Sequence, residues 1–256
     1  MDRLSAIKSA LGPAPTAVRQ ALSPQGHLRA GINLSNFLLV SSRAANGDPQ
    51  GVSPDMAAAL GHCLELPVAY VPYASPGLVA DAAERGEWDV ALLGAEAQRA
   101  AVIDFTAPYS EIEATYLVPA GSPLADISEV DKPGRRIAVA GRTAYGLWLE
   151  RNIAHAELVI GDGFDGAFKL FTTEKLDALA GLRPKLIEDV AQLPGSRMLP
   201  GRFMAVQQAL GTPKAAGVAI DYLQKFVAQA IETGFVAELI ARHRVVGLSP
   251  AKSRNA

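Results

Sequence analysis

From Leu28 onward the chain alternates short apolar runs with amphipathic stretches. LRAGIN (28–33), VAYVPY (68–73) and WDVALLG (88–94) read as strands. The segments between them, DMAAALGHCLEL (55–66) and GLVADAAERG (77–86), repeat apolar residues at helical spacing and predict helices. Strands separated by helices imply right-handed βαβ units and a parallel sheet covered on both faces, so the fold class is α/β. After the strand 115–121, RIAVAG (136–141) opens a second series: a helix over 145–153, strand ELVI (157–160), helix FDGAFKLFTTEK (164–175) and strand LDALAG (176–181). A further strand, FMAVQQAL (203–210), precedes two closing helices over 215–233 and 234–243. Upstream, helices over 4–11 and 16–22 are separated by Gly12-Pro13-Ala14-Pro15 and read as an N-terminal helical extension, 1–26, on the outside of the fold.

Composition narrows the function classes. The 256 residues are 49% hydrophobic and 20% charged, ordinary for a globular chain and sufficient for two lobes. The net charge of -2, with both signs interspersed, leaves no basic footprint for nucleic acid or an anionic membrane, so small molecules or proteins are the expected partners and a monomer the expected state. The histidines, His27, His62, His155 and His243, are dispersed and belong to no zinc-protease or nucleophile-elbow motif; no catalytic residue, metal site or cofactor is expected. Cys63 is the single cysteine, without a partner for a disulfide or a CxxC site, and reads as a small buried hydrophobe. The first residues lack a basic stretch followed by the ~7 to 15 apolar residues of a secretory leader, which leaves the compartment open between a protein whose leader was removed and a cytoplasmic one.

Candidate chemistry centres on Arg99. It follows the strand 88–94 at the start of a helical turn, where a guanidinium fork above outward-pointing amides suits a carboxylate; the competing reading is a surface salt bridge to Glu96 or Asp104. Gly141-Arg142-Thr143-Ala144 starts a helix that Thr143 caps, with Arg142 adding positive charge beside the amides. Glu111 and Glu113 share one face of their strand, as edge charges or as groups near a site. Gln207 and Gln208 are polar in an apolar strand and either reach a ligand or bond to a neighbouring strand.

In this order the elements resemble the family 3 extracellular solute-binding proteins, the type II periplasmic binding fold of amino-acid ABC transporters. The resemblance rests on LRAGIN, QGVSPDMAAALG (50–61), Gly86 to Val90 in the Gly-x-x-Asp-hydrophobic pattern, Arg99 followed by IDFTAPY, GRRIAVAGRTA (134–144), and LDALAG, and it spans about Leu28 to Val246. It implies two α/β lobes, 27–116 with 210–256 and 117–209, joined by crossover strands near 116–118 and 204–208. It also implies ligand capture in a cleft at the carboxyl ends of the strands, with lobe closure as the working motion. Arg99 would clamp the ligand carboxylate.

The chain departs from that pattern where the ligand ammonium is usually held. Between Asp89 and Arg99 it is two residues shorter, so a Ser/Thr-rich turn becomes Gly94-Ala95-Glu96, without a hydroxyl. After the Asp-Ala strand, where an acidic residue is usual, stands Arg183. The aromatic platform after the first strand falls to Asn36 or Phe37, with Asn33 beside them. The expected ligand contacts are therefore Arg99, Asn33, Asn36, Phe37, Gly94, Glu96, Arg142, Thr143, Arg183 and Gln207. Three arginines favour an acidic ligand that need not be an α-amino acid. The resemblance implies a solute-binding protein for a small carboxylate, amino acid or other organic acid, with an ABC transporter permease as partner and a periplasmic location. Two alternatives share the fold: a cytoplasmic ligand-sensing module, and a cyclohexadienyl dehydratase-like enzyme that would need Glu96, Glu111 or Glu113 as general acid.

Overall fold

A computed structural model describes residues 2–252. It divides into two compact units, one formed by the chain up to Glu111 together with the chain from Gln207 onward, the other by Ile112–Val206. The breaks fall a few residues earlier than the expected 116/117 and 209/210.

The first unit begins with helices α1 (Arg3–Leu11) and α2 (Thr16–Leu22). Asp2 caps α1 by accepting from the Ser5 amide at 2.8 Å. Strand β1 (Leu28–Asn33) leads to a small antiparallel hairpin, β2 (Ser42–Arg43) and β3 (Pro49–Gln50), and then to α3 (Val52–Leu64). Gly51 precedes α3 at φ 147°, and a Cβ there would lie 2.3 Å from the Leu39 carbonyl oxygen, so only glycine fits this turn. Strand β4 (Val68–Tyr73), helix α4 (Pro76–Glu84) and strand β5 (Val90–Gly94) follow. β1 pairs in parallel with both β4 and β5, which puts the first strand in the middle of the order β4-β1-β5. A 3-10 turn, Arg99–Ala101, then enters β6 (Ile103–Val118), a 16-residue strand that runs out of the first unit and into the second.

The second unit repeats the plan. Strand β7 (Arg136–Ala140), helix α5 (Ala144–Asn152), strand β8 (Glu157–Gly161), helix α6 (Gly163–Thr173) and strand β9 (Ala178–Leu182) give the parallel order β8-β7-β9. Helix α7 (Arg183–Gln192) and the short strand β10 (Arg197–Met198) complete it, and β9 and β10 pair antiparallel with the far end of β6. Strand β11 (Met204–Pro213) returns to the first unit and pairs antiparallel with β5, Gln208 opposite Gly94. Helices α8 (Ile220–Glu232) and α9 (Phe235–Arg242) close the first unit, and β12 (Ser249–Pro250) pairs with β6 at Glu111 and Ser110.

Each unit carries the same aspartate latch. Asp89, just before β5, accepts from the Arg29 amide at 2.8 Å and from the Arg29 guanidinium at 2.7 and 3.1 Å. Asp177, just before β9, accepts from the Arg136 amide at 2.9 Å and from Arg135 Nη1 at 2.6 Å. The Asp of the Gly-x-x-Asp pattern thus fastens the start of the central strand to the start of its neighbour and satisfies an amide that the ladder leaves open.

Three elements differ from expectation. The strand expected over 115–121 is the end of β6, which also contains all of IDFTAPY. Helix α7 was not anticipated. The closing helix over 215–233 is split: Lys214–Ala219 is a 3-10 segment with Ala216 outside helical φ/ψ and Gly217, a poor helix former, beside it, and the α-helix starts only at Ile220. The N-terminal pair is well packed. α1 lies against α3 and α8, α2 lies against the 3-10 segment 214–219, and Ile7, Val18 and Leu22 are buried. Cys63 is buried, and loss of water pushes its thiol pKa up to about 11, the inert state expected of it.

Candidate functional site

In the first unit the parallel strands end at Asn33, Tyr73 and Gly94, and open α/β sheets bind ligands beyond such carboxyl ends. Arg99 sits there. The loop after Gly94 turns tightly: the Ala95 amide donates to the Gln207 carbonyl at 2.8 Å, the Gln98 amide to the Glu96 carboxylate at 2.8 Å, and the Ala100 amide to the Glu96 carbonyl at 3.0 Å. This turn brings the Arg99 side chain back over the strand end, where Nη1 donates to the Gly94 carbonyl at 2.7 Å. Arg99 is only 4% exposed, so it is a buried guanidinium rather than a surface one. Glu96, in the shortened turn, is buried as well.

The loop after β1 uses its asparagines on itself. Asn33 Oδ1 accepts from the Ser35 amide at 3.2 Å and hydroxyl at 2.8 Å, and Asn36 Oδ1 accepts from the Leu38 amide at 3.3 Å. Phe37, between these turns, is half-buried. On β11, Gln207 supports Ala95 through its carbonyl, and its Nε2 donates to Glu111 Oε2 at 3.4 Å. Its neighbour Gln208 is 3% exposed, and its Oε1 has no hydrogen-bond partner among the described residues.

In the second unit the corresponding strand ends are Ala140, Gly161 and Leu182. Thr143 Oγ1 accepts from the Gly146 amide at 3.1 Å and donates to the Ala140 carbonyl at 2.8 Å, so its hydroxyl caps α5. Arg142 precedes it in the left-handed region at φ 58° and is exposed. Arg183, the first residue of α7, is held by Glu113: its Nε donates to Oε2 at 2.7 Å, and its Nη2 donates to the Gly201 carbonyl. Arg202 reaches the other Glu113 oxygen at 3.3 Å. The charge of Arg183 is thus matched inside its own unit, and the expected anion attraction there is shared with a carboxylate.

The ten expected residues therefore fall in two groups. Asn33 and Gly94 end strands of the first unit, Asn36, Phe37, Glu96 and Arg99 follow those ends and Gln207 stands on β11 beside them, while Arg142, Thr143 and Arg183 follow strand ends of the second unit. Gln208 carries one of several buried side-chain atoms without a hydrogen-bond partner among the described residues; two polar residues in an otherwise apolar strand are the signal for it in the sequence. An aromatic cluster in the second unit also escaped notice: Phe203 lies 4.7 Å from Tyr116 and 5.6 Å from Trp148, centroid to centroid. Those three residues are far apart in sequence and share no periodicity. Among the described residues no group of three or more His, Cys, Asp or Glu side chains is placed to hold a metal ion, and no helix is long and apolar enough to cross a membrane.

Comparison with known proteins follows the same outline. The profile of the bacterial extracellular solute-binding proteins, family 3, matches residues 28–245. No curated protein sequence matches. Among solved structures, an amino acid ABC transporter substrate-binding protein from Streptococcus pneumoniae bound to L-arginine is similar at a TM-score of 0.70 and 19% identity, covering 93% of this chain and 100% of that one. A histidine kinase sensor domain with similarity to periplasmic binding proteins gives a TM-score of 0.72 at 17% identity, covering 88% and 98%. An ancestral amino acid-binding protein, described as a precursor of cyclohexadienyl dehydratase, gives 0.68 at 19% identity, covering 88% and 98%.

Proposed function

The chain belongs to the bacterial extracellular solute-binding proteins of family 3, and from that premise we propose that it captures a small carboxylate, an amino acid or another organic acid, for an ABC transporter. One observation carries the reading: Arg99 is a buried guanidinium fastened to the Gly94 carbonyl at 2.7 Å, at the carboxyl end of β5. Its planar fork carries several N–H donors at the strand end, and a carboxylate accepts from such a fork through two parallel, charge-assisted hydrogen bonds. Lysine keeps the charge but loses the planar fork.

Calorimetry on the purified chain with a panel of amino acids, L-arginine and L-lysine included, and of dicarboxylates tests this. At least one carboxylate binds, Arg99→Lys weakens it by about 10- to 100-fold (about 1.5–3 kcal/mol), and Arg99→Gln weakens it further. Equal binding by wild type and both variants would sink the carboxylate anchor. Nanomolar binding of lysine or arginine would remove the case for a ligand outside the amino acids, which rests on the missing hydroxyl turn and on Arg183. Transport is tested separately, by stimulation of a permease ATPase with the loaded protein.

The similarity to a histidine kinase sensor domain supports a second reading, in which the same capture feeds a sensor rather than a permease. Ligand binding without any permease stimulation is the outcome that would favour it. Of the three carboxyl groups that could each serve a dehydratase-like reaction as its general acid, Glu113 already accepts from Arg183 and Arg202 and Glu111 from Gln207.

A further inference from the structure

Gln208 is buried at a place where burial is costly. Its Cα is paired with Gly94 across the antiparallel β5–β11 ladder, and the carbonyl of that same Gly94 holds the Arg99 guanidinium. Cross-strand partners put their side chains on the same face of a sheet, and Gly94 contributes none beside Gln208. Buried side-chain polar atoms are almost always paired, because an unpaired acceptor forfeits its hydration and receives nothing in return. Yet Oε1 of Gln208 has no partner among the described residues. Apolar side chains fill the rest of this stretch: Ala209 and Leu210 on β11 and Leu92 and Leu93 on β5 are all fully buried. Methionine would have been the simpler choice at 208 were packing the only requirement.

We infer that Gln208 is a specificity-determining residue that accepts a hydrogen bond from an α-substituent, ammonium or hydroxyl, of the carboxylate held by Arg99. The inference rests on the carboxylate reading above and narrows it to α-amino and α-hydroxy acids. Arg99 supplies donors only and Gln208 Oε1 an acceptor only, and both meet at Gly94, the one through its carbonyl and the other as its cross-strand partner. A ligand with a carboxylate and an adjacent N–H or O–H presents the complementary pattern. The neutral amide distinguishes this arrangement from a carboxylate partner: it accepts from a hydroxyl as readily as from an ammonium. The hydroxyl-free turn Gly94-Ala95-Glu96 therefore does not leave the α-substituent unread.

The test uses the whole chain and two matched sets of ligands: L-glutamate, L-2-hydroxyglutarate and glutarate; and L-leucine, L-2-hydroxyisocaproate and 4-methylpentanoate. Wild type is expected to bind the amino and hydroxy members of at least one set about tenfold or more tighter than the plain acid, the loss expected when one buried hydrogen bond is missing. In Gln208→Met that difference collapses, while the plain acid binds as in wild type and the ligand-free protein melts at a higher temperature. In Gln208→Glu the acceptor is kept, so discrimination against the plain acid persists and the amino member gains over the hydroxy member. A ranking unchanged in Gln208→Met, or a uniform loss for all three members, overturns the inference and leaves the Arg99 anchor standing. Binding that ignores both Arg99 and Gln208 substitutions overturns both.

Discussion

Asp131 illustrates how single side chains organise irregular backbone in this protein. Its two oxygens accept from three successive amides, Ala154 at 2.9 Å and His155 and Ala156 at 2.8 Å, which close the turn between α5 and β8. Burial pushes its pKa up, but the three amide bonds outweigh burial and hold the carboxyl below its ordinary 3.8. The sign then follows: a carboxyl depressed in the folded state stabilises it above the unfolded pKa, and that stabilisation is lost as pH falls through the folded pKa. Asp131→Ala is therefore expected to cost about 1–2 kcal/mol at neutral pH, as loss of a capping residue does. In urea titrations, the gap between variant and wild type should narrow as pH falls through the lowered folded-state pKa of Asp131. A gap that is the same at pH 7 and pH 2.5 would show that the carboxylate charge does not matter there. Other residue-level roles were legible in advance because they are local: Thr143 as a cap and Cys63 as a buried thiol need only their neighbours in sequence. The asparagines Asn33 and Asn36 were read as ligand contacts, and their carbonyls serve turns two residues on, an equally local alternative.

At the scale of elements, hydrophobic spacing located the βαβ units well, and it failed where tertiary partners decide. β6 was divided in the sequence reading because Pro108 and the charges Asp104, Glu111 and Glu113 interrupt its pattern; β9, β10 and β12 pair along it and carry it through. α7 was missed for a different reason. Its sequence, RPKLIEDVAQ, buries a charge: Asp189 is almost wholly enclosed and paired with Lys185 at 2.6 Å, one helical turn away. Lys185 also lies over the Phe168 ring of α6, 5.9 Å from its centroid. Burial raises the Asp189 pKa despite Lys185, so the charged pair is held at a cost that removal of one partner would expose. Lys185→Met is expected to destabilise the protein by about 3–5 kcal/mol at neutral pH. Because a raised pKa favours the protonated form, stability in that variant should recover as pH is lowered toward the carboxylate range. The double variant Lys185→Met with Asp189→Leu should return to within about 1 kcal/mol of wild type, since a buried ion pair is often replaceable by apolar side chains. A double variant as unstable as the single one would mean that the pair specifies the position of α7 rather than merely satisfying itself.

For the whole molecule, the family match accounts for residues 28–245 and the helical pair α1–α2 lies before it. In the sequence, two short helices ended by Gly12-Pro13-Ala14-Pro15 and Ser23-Pro24-Gln25-Gly26 read as an extension packed on the outside of the fold. Its contacts give it a larger part. Ile7 and Leu22 are completely enclosed and Val18 nearly so, and burial of three such side chains contributes roughly 5 kcal/mol or more. The basic residues of the pair also meet helix ends. Arg3 donates to the Thr233 carbonyl just past α8 at 2.5 Å and pairs with Glu238 at 3.0 Å, and Lys8 pairs at 2.9 Å with Glu65, which caps α3 in the left-handed conformation. Cations at helix carboxyl ends add a few tenths to about 1 kcal/mol each, and less for exposed pairs. Burial is therefore the larger contribution. Deletion of residues 1–26 is expected to lower the thermal midpoint by more than about 10 °C, since 1 kcal/mol shifts a domain of this size by about 2–4 °C. Arg3→Ala should shift it by only about 1–3 °C. The matched portion is complete without the pair, so the deleted chain should still bind its carboxylate well below its new midpoint. A midpoint unchanged by the deletion would return α1 and α2 to the status of an appendage. Binding lost at temperatures where the deleted chain is folded would instead tie the pair to the site itself, through α3 and the loop that leads into it.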